Sequence, residues 1–206
     1  MSTESVLQFL EGRQSIPLSM FGAPGPDEET LQRILRIALR VPDHGRLEPW
    51  RMIVYRPENA AAIGDLLLER AVALRGPLPD GEADRERNRL NRAPVAVGVV
   101  SCVNRESHIP AWEQFLSAGA ACMNLVNAAT AAGFAANWVT GWYSDDPVGR
   151  SILGLTPDER MAGIVHIGSA EKTIPERPRP DPSAKITAYE GPVAHEAGGE
   201  ADVLPS

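Results

Sequence analysis

The stretch from Pro94 to Val103 (Pro-Val-Ala-Val-Gly-Val-Val-Ser-Cys-Val) carries no charged side chain and is dominated by valine. β-Branched side chains are stiff at χ1 and favour extended backbone. A continuous apolar run, rather than one alternating with polar residues, fits a strand covered on both faces. It is far too short to cross a bilayer as a helix. The chain is thereby committed to a sheet with this strand near its centre, and the remaining sequence must supply two covering layers.

Helical and extended patterns interleave around that strand. Ser2 to Glu11 reads as a short helix with Val6, Leu7, Phe9 and Leu10 as its apolar positions, ending at Gly12. Asp27 is a helix N-cap, and Leu31, Ile34, Leu35, Ala38 and Leu39 follow at helical spacing until Pro42 stops the helix. Arg51 to Tyr55 reads as a strand and Pro57 to Leu74 as a helix. Gly76 to Arg92 is highly charged, contains Pro77, Pro79 and Gly81, and reads as a mobile surface segment with a helical second half. Trp112 to Gly133 is a long helix rich in small residues, without strong charge on any face, and is expected to be buried. Ala136 to Trp142 and Met161 to Gly168 are strands, and Asp145-Asp146-Pro147 starts a short helix ending near Gly154. Beyond Ala170, Pro175, Pro178, Pro180 and Pro182 suggest an extended arm, and 191–206 has the composition of a disordered tail. The organisation expected is one domain over 1–190 with helices on both faces of its sheet, followed by that tail.

Several functions are excluded early. A net charge of −7 over 206 residues is the wrong sign for a general nucleic-acid binder, which must neutralise phosphates. The N-terminus does not read as a signal peptide, no segment reads as a membrane span, and the expected setting is cytoplasmic. Cys102 and Cys122 lack CxxC spacing and read as reduced, buried thiols rather than a disulfide or zinc site. His44, His108, His166 and His195 show no metal-ligand spacing, and His166, within an apolar strand, reads as a satisfied core residue. GxGxxG after a strand, a Walker A loop, HExxH and GxSxG are all missing.

The informative residues fall in four blocks. They are Gly12-Arg13-Gln14-Ser15-Ile16-Pro17; Arg40-Val41-Pro42-Asp43-His44-Gly45-Arg46-Leu47-Glu48-Pro49-Trp50; Trp112-Glu113-Gln114 with the small-residue helix running to Gly133-Phe134; and Asn137-Trp138-Val139-Thr140-Gly141-Trp142. All four tryptophans lie in these blocks. In order, spacing and character the blocks resemble the FMN-dependent nitroreductase superfamily, and most of all its small-enzyme branch of NAD(P)H nitroreductases. That branch opens with Arg-Arg-Ser, continues with Arg-Ala-Pro-Asp-His leading to Gln-Pro-Trp, starts a helix with Pro-x-Trp-Glu-Gln, and runs from Gly-Phe to Trp-x-Ser-Gly. The resemblance extends from about Val6 to about Pro182.

What the resemblance implies is an α+β, three-layer α/β/α fold with a mixed, mostly antiparallel central sheet, assembled as a domain-entwined homodimer. Arg13, Gln14 and Ser15 match the segment that holds the FMN phosphate and ribityl chain; taken alone, they read as a surface turn. Arg40 and His44 match positions that reach the flavin of the other subunit; taken alone, Arg40 complements a helix C-terminus and His44 caps a turn. Trp138, Val139, Thr140 and Gly141 match the second flavin segment, and the tryptophans fit half-buried strand positions equally well. Ala128, Ala129, Thr130, Ala131, Ala132 and Gly133 match a stretch assigned to NAD(P), although an alanine-rich helix end also packs closely with no ligand. Arg177 and Arg179 add a phosphate contact or are simply solvated. Three departures from the family pattern stand out: Gln14 replaces the second Arg, Pro17 replaces a basic residue, and Glu48 replaces the Gln before Pro-Trp. Arg46 stands where the family often has Asn or Ser and is placed to offset Glu48. The implied activity is FMN-dependent oxidation of NADH or NADPH by a ping-pong hydride mechanism. The partners are a second copy of the chain and a small-molecule acceptor such as a nitroaromatic or quinone. The alternative is a non-catalytic flavin-binding module on the same fold. No metal is implied.

Overall fold

Every residue of the central strand β2 (Val95–Ser101) is buried, as its unbroken apolar run requires. It lies between β1 (Trp50–Tyr55) and β4 (Arg160–Gly168), and β3 (Ala135–Val139) closes the other edge, giving the order β1-β2-β4-β3. All three pairings are antiparallel. They run from Trp50↔Ser101 to Tyr55↔Ala96, from Val95↔Ile167 to Ser101↔Arg160, and from Ala135↔Gly168 to Val139↔Ile164. The register slips between Val99 and Val100, which face Gly163 and Met161, so Ala162 is the extra residue of a bulge.

This computed structural model describes residues 3–170 and 174–192. The chain divides into two units, 1–173 and 174–206. In the second unit Asp181 caps a single 3₁₀ turn at Pro182–Ala184 by accepting the Ser183 N–H at 3.0 Å, and Arg179 Nε donates to Glu176 at 2.5 Å. The part of the expected tail from 193 to 206 lies outside the described residues.

Helices α1 (Thr3–Gly12), α2 (Glu28–Ala38), α3 (Pro57–Arg75), α4 (Asp80–Arg87), α5 (Ala111–Ala131) and α6 (Pro147–Ile152) complete the first unit. α2 and α5 cover one face of the sheet, where Leu31, Ile34, Ala121 and Leu125 meet Val97, Val99, Val165 and Ile167. α3 and the segments around α4 and α6 cover the other, where Leu67, Leu90, Tyr143 and Leu153 meet Tyr55, Ala96, Val100 and Ile164. This is the expected three-layer α+β arrangement. Asp27 caps α2 as its sequence suggested, accepting the Thr30 N–H at 2.8 Å.

Several details differ from the sequence reading. α2 ends at Ala38, not at Pro42. Proline offers no N–H for the Ala38 carbonyl and restricts Val41 before it, and the Asn124 amide takes the Ile37 and Arg40 carbonyls at 2.6 and 3.2 Å instead. Arg40 therefore lies in the loop beyond the helix. β3 stops at Val139, so Thr140 and Gly141 are outside the strand, and Trp142 sits in a 3₁₀ turn closed by Ser144 N–H to Gly141 O at 2.9 Å. The long α5 is not wholly buried, since Trp112, Phe115, Leu116 and Met123 are exposed along one flank. Segment 76–92 is anchored rather than loose: it holds α4, whose Glu86 is only 1% exposed.

The thiols and the strand histidine also need adjustment. Both cysteines are free, but only Cys122 is buried; Cys102 is half-buried and donates to Glu159 at 3.3 Å. Burial pushes Cys122 up to about 12, and burial with the Glu159 contact pushes Cys102 up to about 11, so neither is a thiolate nucleophile at neutral pH. His166 is buried as expected, yet among the described residues neither of its ring nitrogens has a hydrogen-bond partner. Burial, reinforced by the Arg92 charge, lowers it to about 4 and keeps it neutral. Among the described residues no helix is long and apolar enough to cross a membrane, and no cluster of side chains is arranged to hold a metal ion.

The close approach of α3 and α4 yields a signed pair of expectations. A Cβ on Gly64 would lie 1.8 Å from the Arg87 carbonyl oxygen, which belongs to backbone, whereas one on Gly81 meets nothing within 4 Å. Gly64→Ala should lower unfolding free energy by about 1–3 kcal/mol, as overpacking does. Gly81→Ala, in the first turn of exposed α4, should raise it by about 0.5–1 kcal/mol through helix propensity. Urea denaturation of the two variants measures both, and equal effects would contradict this packing.

Candidate functional site

α1 ends at Gly12, and the chain then runs beside the sheet edge. The Asn137 side chain of β3 donates to the Ile16 carbonyl at 2.6 Å, and Gly22 pairs with Ser169 beyond β4. This pinning fixes Arg13 and Ser15 beside β3, and the Arg13 guanidinium donates to Ser15 Oγ at 3.4 Å. None of the ion pairs among the described residues involves Arg13. A forked cation and a hydroxyl side by side, uncommitted to a carboxylate, form a donor set that suits a phosphate dianion. Gln14 stands between them and adds no charge.

Trp138 of β3 is 38% exposed and reaches over β4 at Gly163, donating Nε1–H to the Ala162 carbonyl at 3.3 Å. A Cβ at Gly163 would sit 1.7 Å from that nitrogen, so glycine beside the bulge is what admits the indole. Val139 turns toward the opposite core, and Thr140 and Gly141 lead out into the 3₁₀ turn. The two segments matched to flavin binding, 13–15 and 138–141, are thus brought to one edge of the sheet.

Arg40 and His44 lie elsewhere. Their loop runs antiparallel along α5: Arg40 O accepts from Asn124, Pro42 O accepts from Ser117 Oγ at 2.6 Å, and His44 Nδ1 meets Glu113 Oε2 at 2.7 Å. Ser117 Oγ also receives the Trp50 indole N–H at 3.0 Å, tying β1 to the same flank. At 100° per residue, Glu113, Ser117 and Asn124 share one side of α5. Gly119, about 200° around the helix from Ser117, faces the Trp138 ring, and a Cβ there would lie 3.9 Å from it. No hydrogen bond or ion pair among the described residues joins Arg40 or His44 to the other two segments. Between these flanks Trp112, Leu116 and Met123 form an exposed apolar strip, with Phe115, also exposed, just past Gly119.

The residues matched to NAD(P) are divided by the fold. Ala128 and Ala129 are buried in the α5–sheet core, Thr130 Oγ donates to the Val126 carbonyl at 2.9 Å, and Ala131, Ala132 and Gly133 emerge at the helix end with Gly133 at φ +90°. Arg46 and Glu48 both have positive φ, and no ion pair joins them.

Sequence reasoning missed the brace behind the site. Glu86 of α4 accepts from Arg75 at 2.9 Å, from Arg89 at 2.7 and 3.0 Å, and from the Trp142 indole at 3.0 Å. Arg89 lies over the Tyr143 ring at 5.8 Å, and that ring fills the space under Gly141, where a Cβ would lie 2.6 Å from it. The charged segment therefore fixes the turn that follows Trp138. Burial pushes the Glu86 carboxyl up, but the bonds from Arg89, Trp142 and Arg75 outweigh it and bring it down to about 2. The signal available in the sequence was only a glutamate three residues before an arginine, a pattern common on solvated helices.

Comparison with known proteins bears on the family and the fold. The sequence profile described as the nitroreductase family matches residues 10–169. YdjA of Escherichia coli strain K12, named for an NAD(P)H nitroreductase activity that its name leaves unproven, is 33% identical over 184 residues, covering 89% of this chain and 98% of YdjA. In fold, the chain is similar to a nitroreductase-like family protein from Bacillus cereus, with a TM-score of 0.76 at 24% identity over 93% of this chain and 99% of that one. It is also similar to a nitroreductase with bound FMN from Bacteroides fragilis, with a TM-score of 0.67 at 21% identity over 91% and 100%.

The brace has a pH signature. Glu86 is depressed in the fold, so its stabilisation is present above the ordinary carboxylate value of 4.5 and is lost as pH falls toward about 2. His166, held neutral to about 4, acts with the same sign from 6.5 downward, because the unfolded chain takes up a proton that the fold refuses. Stability should therefore decline below about pH 6.5 and more steeply below 4.5. Glu86→Gln should flatten only the lower limb and lower stability at pH 7 by about 1–3 kcal/mol. Urea titrations at stepped pH check both, and an unaltered acid limb would remove Glu86 from this role.

Proposed function

This chain belongs to the nitroreductase family, and on that footing we propose that it is an FMN-dependent NAD(P)H oxidoreductase whose site is completed by a second copy of the chain. When bound, FMN supplies the redox chemistry, taking a hydride from NADH or NADPH and giving it to a nitroaromatic, quinone-like or other small organic acceptor in a ping-pong cycle. The setting proposed is the cytoplasm. Arg13 and Ser15 hold the phosphate, with Gln14 between them as a neutral neighbour. Trp138 lines the ring with its side chain, Val139, Thr140 and Gly141 meet the cofactor through their backbone, and Glu86 and Tyr143 keep that turn in place from behind. Arg40 and His44 serve the cofactor of the other protomer. Of the stretch matched to the nicotinamide nucleotide, Thr130 to Gly133 is the part open to a ligand.

The observation that carries this reading is the separation of the two halves of the site by α5. Trp138 lies toward one flank, with Arg13 and Ser15 pinned to its strand through Ile16, Arg40 and His44 run along the other flank, and the exposed strip between is apolar. A polar rim beside a contiguous apolar strip is what a self-associating surface looks like. Two-fold packing of these strips sets one protomer's Arg40–His44 loop against the other's Trp138. Arg13 would then answer the phosphate of a bound FMN, while Arg40 of the other protomer would bring positive charge that favours the anionic reduced flavin.

The test is the absorption spectrum of the purified protein with and without added FMN, followed by anaerobic NAD(P)H bleaching. Bound FMN that bleaches and reoxidises with an acceptor is expected. Bound FMN that never bleaches supports the flavin-binding module, and protein that takes up no FMN ends both readings. Arg13→Ala should weaken FMN at least about tenfold, or about 1.4 kcal/mol. Leu116→Glu should abolish self-association in sedimentation and lose FMN with it, although every FMN-contacting side chain named above is untouched; a monomer that binds FMN with full affinity would refute the shared site.

A further inference from the structure

The pair His44–Glu113 is unusual in what it costs and what it leaves open. His44 sits in a loop with three positive φ angles, Gly45 at +70°, Arg46 at +56° and Glu48 at +48°. For Arg and Glu such angles cost about 1–3 kcal/mol each and persist only where the surroundings impose them. Here they are imposed from several directions. Asp43 accepts the backbone N–H groups of Leu47 and Glu48 at 3.1 and 2.9 Å, and Gly45 lies so close to Ile109 that a Cβ would approach it to 2.5 Å. Buried Gln114, next to Glu113, locks the first turn of α5 by pairing with Asn104 N–H at 2.8 Å, Asn104 O at 3.1 Å and Ile109 O at 2.9 Å. The result is an imidazole whose side chain is 64% exposed yet held by Nδ1 at 2.7 Å from a carboxylate sixty-nine residues away. Exposed pairs contribute little to stability, so stability does not account for the strain. Nε2 has no partner among the described residues, and Trp112, Phe115 and Leu116 lie exposed on the same first turns of α5.

We propose that Glu113 and His44 form a proton-delivering pair: Glu113 is a positioning residue that holds the imidazole through Nδ1–H, and His44 presents Nε2 as the acid that protonates the acceptor. The proposal rests on the reading of His44 as a residue at the partner protomer's cofactor. A carboxylate on Nδ1 fixes that nitrogen as the donor, so the neutral ring has a bare Nε2 and the protonated ring presents Nε2–H outward. Reduction of a quinone-like carbonyl needs one hydride, which NAD(P)H supplies through the flavin, and one proton. As the electron pair arrives, the His44 Nε2–H bond breaks and an O–H bond forms on the acceptor. The imidazolium becomes neutral imidazole with Nδ1–H still on Glu113, and water returns the proton to Nε2. This arrangement leaves hydride transfer from NAD(P)H to the flavin independent of the pair.

The experiment uses the full chain incubated with FMN, with Glu113→Ala, Glu113→Gln and His44→Gln beside it. Nitrogen-15 histidine spectra, assigned with His44→Gln, should show neutral His44 protonated on Nδ1 in the wild type and in Glu113→Gln, whose amide oxygen still accepts, but shifted toward Nε2–H in Glu113→Ala. In anaerobic stopped flow, flavin reduction by NAD(P)H should be unchanged in Glu113→Ala, while reoxidation by p-benzoquinone should slow by about tenfold or more, with Glu113→Gln closer to wild type. An unaltered tautomer in Glu113→Ala overturns the pairing, and unaltered reoxidation with FMN bound overturns the proton role alone. A wild type that takes up no FMN overturns the functional reading and the proton role together, and the tautomer still decides whether Glu113 orients the ring.

Discussion

The packing of α5 on the sheet is the constraint on which the rest of the structure depends. Ala118, Ala121, Cys122, Leu125 and Ala129 form its buried face, and their small size lets the helix lie close to Val97, Val99, Val165 and Ile167. Close packing of this kind gains dispersion on every contact and leaves no room for solvent. With one face committed to the sheet, the rest of the helix surface is divided among other partners. One flank receives the chain from Arg40 to His44 through Asn124, Ser117 and Glu113. The opposite flank carries Gly119 beneath the Trp138 ring, and the strip between stays apolar and exposed. A single helix thus sets where Trp138 stands relative to Arg40 and His44.

The other face of the sheet is organised around charge. Arg51 grips Glu159 through two nitrogens at 2.6 and 2.8 Å, Arg70 grips Asp146 at 2.7 and 3.0 Å, and Glu86 gathers two arginines and an indole. Planar guanidinium against carboxylate is the geometry that makes such pairs directional. Each joins segments distant in sequence, and the last two converge on the turn from Trp142 to Asp146. That turn follows directly on β3, so the layer behind the sheet controls what the sheet edge presents in front.

Some parts of the site were legible in the residues and others were not. The Asp27 cap, the central valine strand and the Pro147 helix start each rest on local rules that operate within a few residues, and each appears where its pattern placed it. The matched blocks carried Arg13, Ser15, His44 and Trp138 because their order and spacing survive in the chain as a family pattern. Glu86 was hidden, since a lone carboxylate in a charged stretch looks solvated until Trp142 and Arg75 are folded onto it. The exposed flank of α5 was hidden as well: absence of charge reads the same for a buried helix as for one whose apolar side faces outward.

By itself, then, the sequence determined the identity of the elements, the central position of β2 and the residue types of the candidate site, because propensity, capping and apolar runs are local properties. Only the tertiary structure decided the end of α2 before Arg40, the anchoring of segment 76–92, the burial of His166 without a hydrogen-bond partner among the described residues, and the pairing of His44 with Glu113. It also decided that Arg40 and His44 stand across α5 from Trp138. Those outcomes depend on which side of a helix meets which distant loop, and that is fixed only when the sheet and its two covering layers close together.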